Sequence, residues 1–261
     1  MNIYVKISGF KYNTFGLRQE WVYSFLTNGE NFLKDNTLGP KQIEAFIYLL
    51  KDCELIDKNK NLTPLFHILK SIYLKDGPYS QILWGITWIN LCFNSSIFTL
   101  WSIFSPGTYN RKEIINIMFL NYGKNNQSLK SGYSTLKETL SKSPIGEILG
   151  QGIPIKKGKI IQGFNKVGLK SLHPIVILYN LYKYAERENL YEIDLYSLEN
   201  TLYSPQKIFS ISSIDLQKSL LDDSQYYNLY RLSLDRPGLI ILYDSLKAIN
   251  ILEKYVGGEK K

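Results

Sequence analysis

From Gly77 through Asn110 the chain carries no charged residue, and within that run "ILWGITWINLCFNSSIFTLWSIF" covers Ile82–Phe104. A stretch this long and apolar can cross a bilayer or lie at the centre of a globular core. Three features favour the core. Asn94, Ser95 and Ser96 fall mid-stretch, where their polar side chains break a helix. The halves on either side are about a dozen residues each, short of the roughly 20 a membrane span needs. Neither flank has the clustered Lys/Arg of a membrane anchor. The expectation is a buried helical hairpin in a cytoplasmic protein with no membrane association.

The rest of the chain can enclose such a hairpin. Of 261 residues, 44% are hydrophobic and 14% aromatic, which argues against global disorder. No arginine-rich leader opens the sequence, and Met1–Phe10 reads as a short strand. Cys53 and Cys92 lie among apolar neighbours and read as buried free thiols of a reducing compartment. With His67 and His173 far apart, the four residues make no zinc site.

The net charge is +8, but 26 of the 31 basic residues are lysines and only three alanines occur. That usage points to an AT-rich coding sequence, so the placement of charge says more than its sum. Between Lys124 and Lys170 nine lysines face only Glu138 and Glu147, a local +7, which leaves +1 for the remainder. This basic, glycine-rich segment is expected to be loop and hairpin and to meet phosphates.

"LGPKQIEAFIYLLKDCELIDKNKNLTPLFHIL" (38–69) has the order of a DNA-contacting unit. Ile43, Phe46, Ile47, Leu50 and Cys53 recur at the spacing of one helix face, while Lys41, Gln42, Glu44, Tyr48 and Lys51 fall elsewhere. Pro40 suits the first helical turn. Residues 57–61 read as a turn between two short extended pieces, and Thr63-Pro64 opens a second helix. Helix, two-strand wing, helix is the second half of a winged helix-turn-helix. Glu54 is its irregularity, standing where such helices commonly end in a left-handed glycine.

Other segments follow the same logic. Thr14 caps a helix whose face carries Phe15, Arg18, Trp21 and Phe25, with Arg18 stacked or paired internally by default. Asn110 caps a helix over 110–122, another covers 134–141, and 153–164 reads as a β-hairpin about Lys157-Gly158. Helices are expected over 173–189 and 213–222, an extended run over 204–212, and a turn, apolar run and last helix over 235–255. The fold class is mainly α with small β wings, winged helix-turn-helix units flanking a buried helical core. Its expected parts are a winged-helix-like unit (1–75), the uncharged core (76–123), the basic region (124–171) and a helical, second winged-helix-like unit (172–261).

Motifs of familiar chemistry are absent. "GQGIPIKKGKI" (150–160) has five residues between Gly152 and Gly158 and lacks the Lys-Ser/Thr of a P-loop. No acidic pair precedes an E-x-K, "EID" (192–194) and "LDD" (221–223) read as solvated ends, and no nucleophile–base pair emerges.

Several blocks together resemble one family, the uncharacterised-domain family 4007. "TFGLRQEWV" (14–22) is similar to its F-x-x-R-x-x-W opening, and "LGPKQIEAFIYLLKDCELI…LTPLFHIL" to its winged segment. "KDGPYSQILWGITWINL" (75–91), "SPIGEILG", "SPQKIFSIS" and "DRPGL" are similar, in order, to its later elements. That family includes the nicking subunit of single-stranded DNA phosphorothioation systems. The resemblance implies a DNA-binding component of a bacterial phosphorothioation or related anti-phage system, with nicking activity in some members. Implied partners are double-stranded DNA, a cysteine desulfurase, a phosphoadenosine-phosphosulfate-reductase-like subunit and an ATPase. Magnesium or manganese would be called for only with nicking. Two departures stand out: Tyr12-Asn13 replaces a His-Glu pair, and Glu138-Thr139 stands where members carry an aspartate. No catalytic residue transfers. The expected nucleic-acid contacts are Arg18, Lys41, Gln42, Tyr48, Lys58, Lys60, Lys156, Lys157 and Lys159. The alternatives are a non-enzymatic adaptor docking the ATPase or sulfur-transfer enzyme, and a transcriptional regulator, which would need a dimer.

Overall fold

The structure is a computed structural model that describes residues 11–122, 126–221, 226, 228–233 and 235–257. The strand expected over Met1–Phe10 and the acidic residues Asp222 and Asp223 lie outside these.

The uncharged run folds as a helical hairpin, α5 (Gln81–Asn94) and α6 (Ser96–Ser102), broken at Ser95 in extended conformation. Every residue of α5 from Ile82 to Cys92 is buried. Among the described residues no helix is long and apolar enough to cross a membrane. Around α5 stand α3 (Pro40–Asp52), α4 (Pro64–Asp76), α9 (Pro174–Glu188) and the short α10 (Pro205–Phe209). The indole N–H groups of this core all find acceptors. Trp84 donates to the Pro78 carbonyl, Trp88 to Ile208 and Trp101 to Gln151, at 2.9, 2.9 and 2.7 Å. Asn90, fully buried in α5, donates to the Cys53 carbonyl and accepts from the Tyr179 hydroxyl, tying α3 and α9 to the central helix.

α1 (Gln19–Asn28), α2 (Glu30–Lys34), α3 and α4 share an aromatic cluster of Trp21, Phe25, Phe32, Phe46 and Phe66, with ring centroids 5.1–6.4 Å apart. The first helix begins at Gln19, not after Thr14, because the preceding backbone is held elsewhere. The amides of Gly16 and Leu17 donate to Glu138 and Thr139 of α8 (Asn126–Lys142). The chain after α3 also departs from expectation. Ile56 and Leu62 form a single antiparallel bridge, not a two-stranded wing, since Thr63 already caps α4 by accepting from the Phe66 amide.

Two small antiparallel sheets complete the mainly helical fold. The first runs β1-β3-β2, from β1 (Gly107–Asn110), β2 (Ile153–Lys157) and β3 (Ile160–Lys166); the expected hairpin is there, joined by β1. The second runs β4-β6-β5, from β4 (Glu192–Asp194), β5 (Tyr230–Leu232) and β6 (Leu239–Leu242). Helix α7 (Arg111–Tyr122) has the Asn110 cap: Asn110 Oδ1 accepts from the Lys112 and Glu113 amides, and Glu113 accepts back from the Asn110 amide. The basic segment differs most from its expectation, because its first third is the helix α8. The 204–212 stretch is not extended either; Ser204 caps α10. Helix α11 (Ser213–Leu221) and α12 (Ala248–Gly257) follow, the latter packed on α9 and α4.

Lys166 is the least expected core residue. Its ammonium, 1% exposed, donates to the carbonyls of Trp101, Ser102 and Phe104 at 2.8–2.9 Å, closing the carboxy end of α6. Those carbonyls carry the negative end of the helix dipole, so a cation is favoured there. Burial pushes the amine down to about 7. Replacement Lys166→Met orphans three carbonyls and lowers unfolding free energy by about 3 kcal/mol in urea titration. Carbon-13 NMR of labelled lysine will show one amine titrating near 7, and the signal disappears in the variant.

Gly85 gives a second test. A Cβ there would meet Val176 Cγ1 at 2.7 Å, where α5 and α9 touch. Helix propensity alone makes Gly85→Ala stabilising by about 1 kcal/mol. Crowding against a stiff valine reverses the sign, and the substitution destabilises by about 1–3 kcal/mol. Adding Val176→Ala recovers part of the loss, which a double-mutant cycle will measure.

Candidate nucleic-acid interface

The outward stripe of α3 is set by helical spacing: Lys41, Glu44, Tyr48 and Lys51 lie at i, i+3, i+7 and i+10. Lys41 is exposed; Gln42 acts locally, its side-chain oxygen accepting from the Gly39 amide at 2.9 Å. At the far end Lys51 donates to the Lys58 carbonyl, joining the helix to the following turn. Lys58 and Lys60 on that turn are exposed. Asp57 shapes it by accepting from the amides of Asn59 and Asn61 and from the Asn61 side chain, at 2.8–2.9 Å. These bonds, the Asn61 side chain first, hold the Asp57 carboxyl below its usual range. Within the described residues Lys41, Lys58 and Lys60 make no ion pair.

Between stripe and turn lies a shallow depression of about 330 Å³, lined by Ile43, Glu44, Ile47, Tyr48, Lys51 and Lys60. Ile43 and Ile47, read from the sequence as core-facing, are only half-buried, while Ala45, Phe46, Leu49 and Leu50 carry the packing. Lys11 borders this surface, 2.6 Å from the carboxylate of Asp52 and 5.9 Å from the Tyr48 ring. Asp52 is buried and also accepts from the Tyr12 hydroxyl; burial pushes its carboxyl up against those two donors. Lys11 and Lys51 join a surface for which only Lys41, Lys58 and Lys60 were expected. Lys51 was legible as the next member of the stripe, whereas Lys11 becomes a neighbour only through folding.

Glu54 explains how α3 and its turn are held. It takes the left-handed conformation (φ 61°) that a glycine would adopt, with the Leu55 amide bonded to the Leu50 carbonyl and the Glu54 amide to Lys51. That conformation costs about 1 kcal/mol for a residue with a side chain. The carboxylate offsets the cost by accepting from Lys183 of α9 at 2.6 and 2.7 Å and from Asn94 at 2.8 Å.

Arg18 is placed differently from the lysines. Its guanidinium meets both oxygens of Glu138 at 2.9–3.2 Å and stacks 4.5 Å from the Trp21 ring, with its side chain 16% exposed. The two departures noted in the sequence therefore belong to one region, where residues 12–18 pass α8 at Glu138 and Thr139. Asn13 donates to Glu44, and Tyr12 is buried on Asp52.

Lys156, Lys157 and Lys159 are exposed on the hairpin around Gly158, whose φ of +62° suits the first position of a two-residue turn. Lys166, counted with them in the basic segment, points inward, on the same strand face as the buried Phe164. The two basic surfaces thus belong to different elements, α3 with its turn and the β2–β3 ribbon.

A metal centre does not fit the described residues. No group of three or more His, Cys, Asp and Glu side chains converges among them. Asp52 and Glu138 already hold Lys11, Tyr12 and Arg18. A cleft of about 560 Å³ between α1 and residues 140–148 is lined by only two carboxylates, Glu20 and Glu147, opposite Lys142. His67 is exposed on α4, and His173 caps α9 by accepting from the Ile175 amide.

With this geometry in place, comparison with known proteins gives a fold. No protein-family model matches the chain, and no curated protein sequence matches it. Among solved structures it is similar to a crystal structure of SspB, with a TM-score of 0.68 at 15% identity. A magnesium ion-bound crystal structure of SspB gives 0.69 at 15% identity. In each case the likeness covers 96% of this chain and 88% of the other. The chain has the SspB fold. At this identity the likeness is one of fold alone.

The Arg18–Glu138 pair provides a test of placement. Arg18→Ala is expected to lower stability by about 1–3 kcal/mol in urea, since it strips a half-buried carboxylate of its two-pronged donor. Glu138→Gln and the double variant close the cycle, with a coupling of about 1 kcal/mol or more expected.

Proposed function

We propose that this chain is the DNA-binding component of a phosphorothioation-type or related defence system. The observation that carries the reading is the row of outward, unpaired lysines, Lys41, Lys58 and Lys60, on a helix and turn braced from behind by Glu54. The SspB fold and the sequence blocks shared with the family of the nicking subunit support the same assignment from two directions. In this reading α3 approaches a groove of duplex DNA, Tyr48 lies against it, and the lysines of the following turn meet the backbone, as in winged modules. Lys51 and Lys11 extend the contact. The ribbon lysines Lys156, Lys157 and Lys159 supply a second contact on the same polyanion. Arg18 serves as an internal brace for the segment before α1.

Strand cleavage is left outside the assignment. A magnesium-bound SspB structure is a reason to assay it, but the carboxylates of this chain are committed to internal partners or stand in pairs. A second reading rests on the half-buried Ile43 and Ile47 in the depression beside Lys60, which suit a protein partner such as a sulfur-transfer subunit or ATPase. It is favoured if the chain retains such a partner on co-purification yet shifts no bare DNA.

Neutralising six phosphates weakens binding by about three powers of ten between 50 and 200 mM salt. Gel-shift titration of plain duplex DNA should show that dependence. The triple variant Lys41→Gln, Lys58→Gln, Lys60→Gln should lower the log–log slope by about 2.7. A salt-independent shift, or no shift at all, would exclude this surface.

A further inference from the structure

β1 pairs with β3 only over Gly163–Lys166, so residues 156–162 continue past it as a two-stranded ribbon with no third strand beside it. A register shift between Ile155 and Lys156 marks where the ribbon leaves the sheet. Such a bulge bends and twists the strand that carries it. Below the shift Pro154 stands opposite Phe164, which is fully buried. Above it every residue from Lys156 to Ile160 is exposed.

The composition of this ribbon is one-sided. No Asp or Glu occurs from Ile148 through Ala185, so Lys156, Lys157 and Lys159 have no carboxylate on their own element. At the tip, opposite Lys157 and next to the turn, stands Ile160, 65% exposed. Ile153, Ile155 and Val167 are exposed along the same short stretch. Surface isoleucines scattered singly are unremarkable, but an isoleucine held at the end of a projecting basic arm has a specific use. Architectural DNA-binding proteins push apolar wedges between base steps while nearby cations hold the backbone.

Dimensions agree. Three rungs beyond Gly163 reach about 10 Å at the ordinary rise of a strand. The grooves of B-DNA are about 8 Å deep, and a two-stranded ribbon fits within the major groove. We infer that the β2–β3 ribbon enters a groove of duplex DNA and wedges Ile160 against a base step, bending the duplex while Lys156, Lys157 and Lys159 hold the flanking phosphates. This deepens the proposed function and rests on it.

The test is a duplex of about 30 base pairs containing TA and CA steps, which unstack readily, labelled at its two ends for energy transfer. Saturating wild-type protein should raise transfer efficiency, with a bend on the order of 20–90°. Ile160→Thr keeps a β-branched residue at an exposed position, so it should fold normally and bind within about threefold of wild type. It should leave the duplex straight. A duplex that stays straight at saturation, or bends equally with the variant, overturns the wedge and leaves the DNA-binding assignment standing. If wild-type protein shifts no duplex at any salt, both fall together.

Discussion

The structure depends on a helix with no polar face. α5 is buried on every side, so it cannot lie on a surface, and the rest of the chain is arranged as its cover. Helices α3 and α4 supply one wall, α9 and α10 another, and α6 folds back along it. Because α5 offers no charge, specific alignment comes from a few buried polar atoms, chiefly Asn90 between the Cys53 carbonyl and the Tyr179 hydroxyl. Gly85 allows α9 to approach closely at one point. Hydrophobic burial drives assembly, and these contacts choose one arrangement among many apolar ones.

Charged residues are then sorted by geometry into two groups. Arg18, Lys166 and Lys183 are turned inward and serve as braces, on Glu138, on the carbonyls ending α6, and on Glu54. Lys41, Lys58, Lys60, Lys156, Lys157 and Lys159 stand outward without a carboxylate partner among the described residues. The first group makes the second useful, since a lysine on a floating turn gains little by meeting a phosphate. Lys183 fixes Glu54, Glu54 fixes the left-handed exit of α3, and that exit aims the turn bearing Lys58 and Lys60. A positioning network of this kind lowers the ordering cost of binding without touching the partner.

Much of this was legible without coordinates. The uncharged run and its break at Asn94–Ser96 dictate two buried helices, because unbroken apolarity has nowhere else to go outside a membrane. Capping chemistry located α4, α7 and α9 from Thr63, Asn110 and His173-Pro174, since those interactions are local. The Lys41–Lys51 stripe follows from helical spacing alone. Local rules failed where a distant residue intervened. Thr14 does not open α1, because α8 claims the amides before it. The stretch 204–212 is helical at its start, and the basic segment is helical at its beginning, because packing on neighbours overrode weak propensity.

The sequence by itself determined the buried helical hairpin, the mainly helical class, the β2–β3 turn at Gly158 and which face of α3 carries its polar residues. These depend on periodicity and on single residues with strong backbone preferences. Only the tertiary structure decided which cations are free. Lys166 and Lys156 look alike in a list of residues, but one ends a helix in the core and the other stands on a ribbon in water, a distinction set by which chain segments meet across long sequence separations.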